Sequence, residues 1–439
     1  MFIAPLPTRA ARCRPWPLIG LLLGVGVLVQ LVLFTYTTVP GLAGTSDSRL
    51  YLHAAHTLRA TGLLLHPDGS PYRYWPPLYP MLLAAVGSLA GARLLHGAAL
   101  LGSLLLWSWL GRRLLPARRA LLLPLLLALG TPGLLVGKFV WAECVFMLLV
   151  AAYVAALLQW LRTARGEWAA LATLAGVLLP LQRTLGLFLL AGVGVALLLG
   201  TWRPLAARGQ RPLLLHLLLI SLGGVLWQAY ALLVVAAPSR YHSPRGWGQL
   251  LSSVADYGFV LVRWLLPLPA SARAGLPNGL WAAALLGLFA ALWPRRAWRQ
   301  VGALAPPCTL DAELANTVFT VPHGLSFSTQ LVCEVLWAAA VALVALVAGL
   351  TVFAQSAAGV QDAERYASVL FGPILILVLA AWPARIPRWL GTMLLGLWLL
   401  GSAARVIHVA GDLRRVPPLA LASFPDPGLH RQGVGAVKE

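Results

Sequence analysis

The chain has 439 residues, 59% of them hydrophobic and only 10% charged, with a formal net charge of +20. Soluble domains carry about 25% charged residues, so this composition excludes a soluble enzyme: a surface so poor in charge is stable only against lipid. Nor does the positive charge mark a nucleic-acid binder, because the basic residues are nearly all arginine and sit in short loops between apolar runs, with no solvated basic stripe.

The first apolar run, 17–36, is too long for a cleaved signal and is followed by others, so it reads as a retained anchor. A crossing needs about 20 apolar residues. Further stretches that qualify are 76–92, 94–111, 120–136, 139–160, 168–181, 184–201, 212–236, 278–293, 331–354, 368–382 and 389–409. All should be helices, since an open strand cannot satisfy its backbone in lipid. The expected fold is an all-α polytopic bundle of about 11–13 transmembrane helices. Residues 1–14 form a cytoplasmic N-terminus, 15–409 the bundle, and 410–439 a C-terminal tail.

Arginine-bearing loops fall at 9–14, 112–119, 162–165, 203–211, 295–299 and 385–388. From residue 112 onward, one alternating topology places all of them on the cytoplasmic side. Segments 37–75, 137–143, 182–183, 237–277 and 355–367 then face outside, and they hold most of the acids: Asp47, Asp68, Glu143, Asp256, Asp362 and Glu364. The region 76–111 must cross an odd number of times if the N-terminus is inside, yet it contains two apolar runs. Three readings remain open: one run is re-entrant, the two are one bent crossing broken at Gly91-Ala92-Arg93, or the basic loop 112–119 breaks the rule. Segments 37–75 and 237–277 are too polar to span and read as outer loops, the second lying along the interface; 301–330 reads as an inner polar loop.

In the first outer loop, Ser46 or Asp47 suits a helix N-cap. Leu50, Ala54 and Leu58 repeat every four residues as one apolar face, and Gly62 is a C-terminal stop. Such a short amphipathic helix is expected to lie on the membrane surface beside the bundle. Asp68-Gly69 marks a turn, and Trp75-Pro76-Pro77 opens the next run, where proline costs no helical hydrogen bond. Asp47 is thus a carboxylate at the outer face, either a cap or a site residue. His53 and His56 lie one turn apart with His66 nearby; a metal site is one reading, and two solvated histidines on a polar face is the favoured one. The four cysteines, Cys13, Cys144, Cys308 and Cys333, show neither CxxC nor His–Cys metal spacing.

These features together resemble the GT-C superfamily of membrane glycosyltransferases, which includes dolichyl-phosphate-mannose protein mannosyltransferases and bacterial aminoarabinose lipid A transferases. The resemblance rests on Asp47, Tyr51, Ala54, Ala55 and Gly62 in the outer loop, then Tyr74-Trp75-Pro76-Pro77-Leu78-Tyr79-Pro80. Further on it rests on Glu143 to Phe146, on Arg183 with Gly186, and on Glu364-Arg365-Tyr366. It covers about residues 15–200 and 360–385. Many members carry two adjacent acids in this loop, whereas here Ser48 follows Asp47. That departure leaves a divalent metal possible but unsupported, with the cofactor unknown and no metal ligands among the site residues, although one carboxylate suffices as a base.

The resemblance implies a donor sugar on a polyprenyl phosphate and a lipid, glycan or protein acceptor, in a multi-pass protein of the bacterial inner membrane with its site facing outside. Membrane lipids surround it, and no nucleic acid is a partner. A base must take the acceptor's proton, and Asp47 is the candidate. Fixed cations must stabilise the departing lipid phosphate. Arg73, Lys138, Arg183 and Arg365 are the outer-face candidates, arginine being suited to bidentate phosphate contact. Two readings fit Glu143: a second acid of the site, or a helix N-terminal charge favoured by the dipole. The alternative function is a transporter or flippase of a lipid-linked or anionic solute, but the paired, interrupted halves of such folds are not evident.

Overall fold

The computed structural model describes residues 16–73, 75–200, 210–234, 247–266, 268–269, 272–292, 360–382 and 387–419. Loop 301–330, the expected span 331–354 and the tail beyond residue 419 lie outside the described residues. Among the described residues every regular element is helical, and the only extended pairings are two isolated bridges, Ala43 with Phe139 and Leu65 with Pro71. Seven stretches are long and apolar enough to cross a membrane: Leu18–Thr38, Leu89–Leu114, Ala117–Lys138, Glu143–Trp160, Pro212–Leu233, Asp362–Ala381 and Trp389–Arg415. Two shorter apolar helical stretches, Leu185–Gly194 and Asn278–Ala291, accompany them. The chain is an all-α, multi-pass membrane protein.

Helix α1 (Trp16–Thr38) turns Leu21, Leu28 and Val32 outward, which is favourable only where lipid replaces water. After it come α2 (Ser46–Thr61), α3 (Leu78–Val86) and α4 (Leu89–Leu114). The structure corrects the reading of 76–92 as a span. α3 has nine residues and is about 14 Å long at 1.5 Å per residue, half of what a crossing needs. The break lies at Gly87-Ser88 rather than at Gly91. Gly87 adopts φ 72°, and Ser88 caps α4 by accepting the Gly91 amide at 3.0 Å. Region 76–111 therefore contains one helix long and apolar enough to cross, Leu89–Leu114.

The centre of the bundle is the broken helix α5 (Ala117–Ala120), α6 (Leu123–Ala128) and α7 (Thr131–Lys138), together with α8 (Glu143–Thr163) and the late pair α15 (Val360–Ala367) and α16 (Phe371–Ala381). α9 (Gly166–Gln182) returns along α8 after a two-residue turn at Ala164, and α10 (Leu185–Gly200) and α11 (Gln210–Ala229) follow. A π-turn at Tyr230–Val234 ends α11. Segment 237–277, expected as an interfacial loop, instead contains α12 (Trp247–Leu265), whose residues 255–261 are all buried, and the short α13 (Ala272–Gly275). α12 packs on α14 (Asn278–Leu292) and α15. Asp256 and Arg263 lower its hydropathy, so an apolar-run search passes over it, yet both are paired: Asp256 meets Arg273 at 2.6 Å. α17 (Arg388–Arg415) closes the described chain, and its following residues return to the loop after α1, where the Leu419 amide donates to the Leu42 carbonyl at 2.8 Å.

Lys138, at the end of α7, is fully buried and donates to the carbonyls of Thr37 at 3.1 Å and Gly41 at 2.9 Å. These oxygens lie at and just past the C-terminus of α1, where carbonyls lack intrahelical partners and the dipole favours a cation. Lys138→Ala is expected to cost about 1.5–3 kcal/mol, the range for hydrogen bonds to a charged group. A lower thermal midpoint in detergent would register it, with the ligand affinity of the surviving folded protein unchanged.

Candidate functional site

Four chain segments meet at the end of the bundle where α1 ends and α8 begins. The loop after α1 and the loop before α8 are stapled together: the Ala43 amide donates to the Lys138 carbonyl at 2.8 Å and the Val140 amide to the Ala43 carbonyl at 3.0 Å. α2 and α8 therefore start from one platform, with Asp47 in the first turn of α2 and Glu143 as the first residue of α8. α9 delivers Arg183 at its C-cap, and the Gln182 side chain ties that end to the Ala142 carbonyl at 2.9 Å. Gly186 is required here, because a Cβ at that position would stand 2.5 Å from the Leu179 carbonyl carbon; its absence lets α10 leave α9 immediately after Arg183. α15 brings Arg365 from the far end of the sequence.

The N-cap of α2 is Thr45, not Ser46 or Asp47. The Thr45 amide donates to Ser48 Oγ at 3.0 Å, and the Thr45 hydroxyl accepts the Trp141 indole N–H at 2.9 Å. With the cap supplied elsewhere, the Asp47 carboxylate turns to Arg365, its Oδ2 2.9 Å from Nη2. Arg365 Nε donates to Glu143 Oε1 at 2.6 Å, and Arg183 Nη2 lies 3.2 Å from the same oxygen. Arg365 lies over the Trp141 ring at 4.1 Å, and both guanidinium groups stand 5.4 Å from the Tyr366 ring.

The two acids differ in access. The Asp47 side chain is 19% exposed and that of Glu143 only 3%. Glu143 is the internal counter-charge of two arginines, and its second oxygen is buried without a hydrogen bond among the described residues. Asp47 is the carboxylate that an incoming molecule can reach. Asp362, one turn before Arg365 on α15, is half-buried and close enough for the charges of Arg365, Asp47 and Glu143 to bear on it. Sequence reading placed it outside without assigning it a role.

α2 is sunk into the bundle rather than laid on its surface. Its buried residues include Ser48, Tyr51, Leu52, Ala54 and Ala55, a face rotated from the expected Leu50, Ala54, Leu58 stripe. Tyr51 is the reason: its ring packs edge-on to Tyr79 at 5.0 Å and its hydroxyl accepts from Arg183 Nη1 at 3.4 Å. Burial pushes the Tyr51 phenol above its ordinary value, so it meets Arg183 as a neutral hydroxyl. His53 and His66 are buried rather than solvated; His66 stacks on Tyr72 at 5.1 Å and its Nε2 accepts the Arg73 amide at 3.2 Å.

Of the expected site residues, Asp47, Glu143, Arg183 and Arg365 come together. Lys138 is engaged with the end of α1, and Arg73 lies in the turn after α2, beside His66. Trp141 joins the cluster without having been anticipated, since one tryptophan among 18 carries no motif. Among the described residues no group of three or more His, Cys, Asp or Glu is arranged to hold a metal ion. On the other side of α15, Glu364 accepts from Thr131 Oγ1 at 2.6 Å and from the Trp264 indole at 3.4 Å, with Arg263 at 3.8 Å and Arg405 within electrostatic reach. Two guanidinium groups there face one carboxylate.

No family model matches the chain, and no curated protein matches it. Among solved structures, ArnT from Cupriavidus metallidurans bound to undecaprenyl phosphate superposes with a TM-score of 0.56 at 15% identity, covering 89% of this chain and 69% of ArnT. The same protein in its apo state gives 0.52 at 17% identity, covering 86% and 62%. The chain thus spans about two-thirds of the ArnT length and shares its membrane-bundle fold.

Proposed function

We propose that this chain is a membrane glycosyltransferase that takes a sugar from a polyprenyl-phosphate carrier and passes it to an extracytoplasmic lipid, glycan or protein acceptor. The observation that carries the reading is the reachable Asp47 carboxylate, 2.9 Å from Arg365, beside the Glu143–Arg183 pair. The shared fold with ArnT, solved with a polyprenyl phosphate bound, supports it. Buried charges of both signs gathered at one end of a membrane bundle mark a functional-site candidate.

The chemistry follows from the charges. Asp47 takes the proton of the acceptor hydroxyl or amine as that atom bonds to the sugar's anomeric carbon. The bond from that carbon to the carrier's phosphate oxygen breaks, its electron pair leaves with the phosphate, and free polyprenyl phosphate is the second product. Arg365 and Arg183 oppose the charge that develops on the leaving oxygen. Attack opposite the leaving group inverts the anomeric centre. Among the described residues, Arg263 and Arg405 both stand against Glu364 on the far side of α15, and this pair of cations favours an anionic carrier. In this orientation the arginine-rich loops face the cytosol of a bacterial cell and the site faces outside.

The test is reconstitution in vesicles carrying undecaprenyl-phosphate sugars labelled in the sugar, with a total membrane lipid extract as acceptor. The expected result is label covalently attached to an acceptor, with release of undecaprenyl phosphate in equal amount. Movement of the labelled lipid or solute across the bilayer, with no covalent product, would overturn the enzyme reading in favour of a transporter.

A further inference from the structure

We propose that Trp141 is a positioning residue that holds Asp47 and Arg365 in register, an inference that rests on the transferase reading of this site. Trp141 lies in the four-residue link between α7 and α8 and is buried. It acts on both partners of the ion pair. Its ring carries the Arg365 guanidinium at 4.1 Å, and its indole N–H holds the Thr45 hydroxyl at 2.9 Å, two residues before Asp47 at the start of α2. Phe139 stacks against the same indole, centroids 4.4 Å apart and planes 13° from parallel, and Phe139 is itself bridged to Ala43. The indole is thus fixed from the stapled platform rather than from either residue it positions.

A cation over an aromatic face is attracted by the ring quadrupole, most strongly by tryptophan and where water is excluded. That attraction sets where the Arg365 plane lies, while Glu143 fixes Nε and Asp47 meets Nη2. Tryptophan offers both the broadest π face of any side chain and a ring N–H donor. Leucine at this position would keep the apolar volume in part but release both ends. Phenylalanine would keep a face for Arg365 and release Thr45.

The experiment compares Trp141→Leu, Trp141→Phe, Thr45→Val and the Phe–Val double variant in the vesicle transfer assay, with kcat and donor KM measured separately and folding followed by thermal midpoint. Trp141→Leu, which loses both contacts, is expected to lower kcat by about thirtyfold or more, a desolvated cation–π contact alone being on that scale, with donor KM moving by less than about twofold. Trp141→Phe should recover most of that and fall about fivefold short of wild type, the worth of one hydrogen bond. Thr45→Val, which also removes the α2 cap, should lose at least as much, and the double variant should lose no more than Thr45→Val alone, since the indole–hydroxyl contact is already gone there. Wild-type kcat in Trp141→Phe and Thr45→Val, or losses that add in the double variant, overturns the proposal, and this pair decides the matter even where Trp141→Leu does not fold. Asp47→Asn run alongside separates the two ideas. Its full activity removes the base reading whatever Trp141 does, whereas an inactive Asp47→Asn beside fully active Trp141 variants removes the positioning role alone.

Discussion

Asp47→Asn is expected to lower sugar transfer by about 10²–10⁴-fold, the usual worth of a positioned general base, with the thermal midpoint in detergent close to wild type. The first half of that expectation is chemical: an amide has the shape of a carboxylate but cannot accept the acceptor's proton. The second half is structural. Thr45 rather than Asp47 caps α2, so the helix start survives the change. Arg365 keeps a direct counter-charge in Glu143 at 2.6 Å and its seat on Trp141, and Arg183 keeps its own contact to Glu143. The lost pair has one partly exposed partner, Asp47 at 19% side-chain exposure, and one buried partner, Arg365, which Glu143 still neutralises, so the loss is expected to be smaller than at Glu143. A variant that folds, binds undecaprenyl phosphate and fails to transfer is the signature sought. Transfer within about tenfold of wild type would leave Asp47 as an ion-pair partner and no more.

Much of this arrangement is legible in the sequence, and the parts that are not share a physical cause. Apolar run length locates most crossings, because lipid selects for it directly. The order of an acid after the first span, a Pro-Pro entry, an acid opening a later span, an arginine between two spans and an Arg-Tyr pair before a late one carries the resemblance that brings Asp47, Glu143, Arg183 and Arg365 forward as candidates. These four do meet, although their order along the chain says nothing of distance. Run length fails where side-chain partners substitute for hydropathy. α12 is buried with Asp256 and Arg263 on board because each has an opposite charge within 4 Å. α2 sinks inward because the Tyr51 hydroxyl finds Arg183. Lys138 reads as a phosphate ligand from composition, being one of two lysines, yet its Nζ is engaged by the carbonyls at the end of a helix 100 residues earlier in the chain. Trp141 is invisible for the same reason: its value lies in what stands on either side of it, and neither Thr45 nor Arg365 is near it in sequence.

Glu143→Gln is expected to destabilise the fold by about 3–5 kcal/mol, the cost of breaking a buried ion pair and stranding its partner. One Glu143 oxygen neutralises two guanidinium groups, Arg365 at 2.6 Å and Arg183 at 3.2 Å, and its side chain is 3% exposed. Glutamine can still accept a hydrogen bond from Arg365 Nε, so geometry is largely kept and the loss is one of charge. Two arginines then share Asp47 alone, and the surplus cation cannot be hydrated where it stands. The prediction separates Glu143 from Asp47: the same change of acid to amide should cost stability at 143 and activity at 47. Its cause can be isolated by repeating Glu143→Gln in an Arg183→Met background, where the charges balance again. If electrostatic imbalance is the source, the second change should recover at least about 1 kcal/mol of the penalty, a coupling typical of contacting charged residues. Equal penalties in both backgrounds, read as shifts in the denaturation midpoint, would mean that Glu143 holds the site by shape and not by charge.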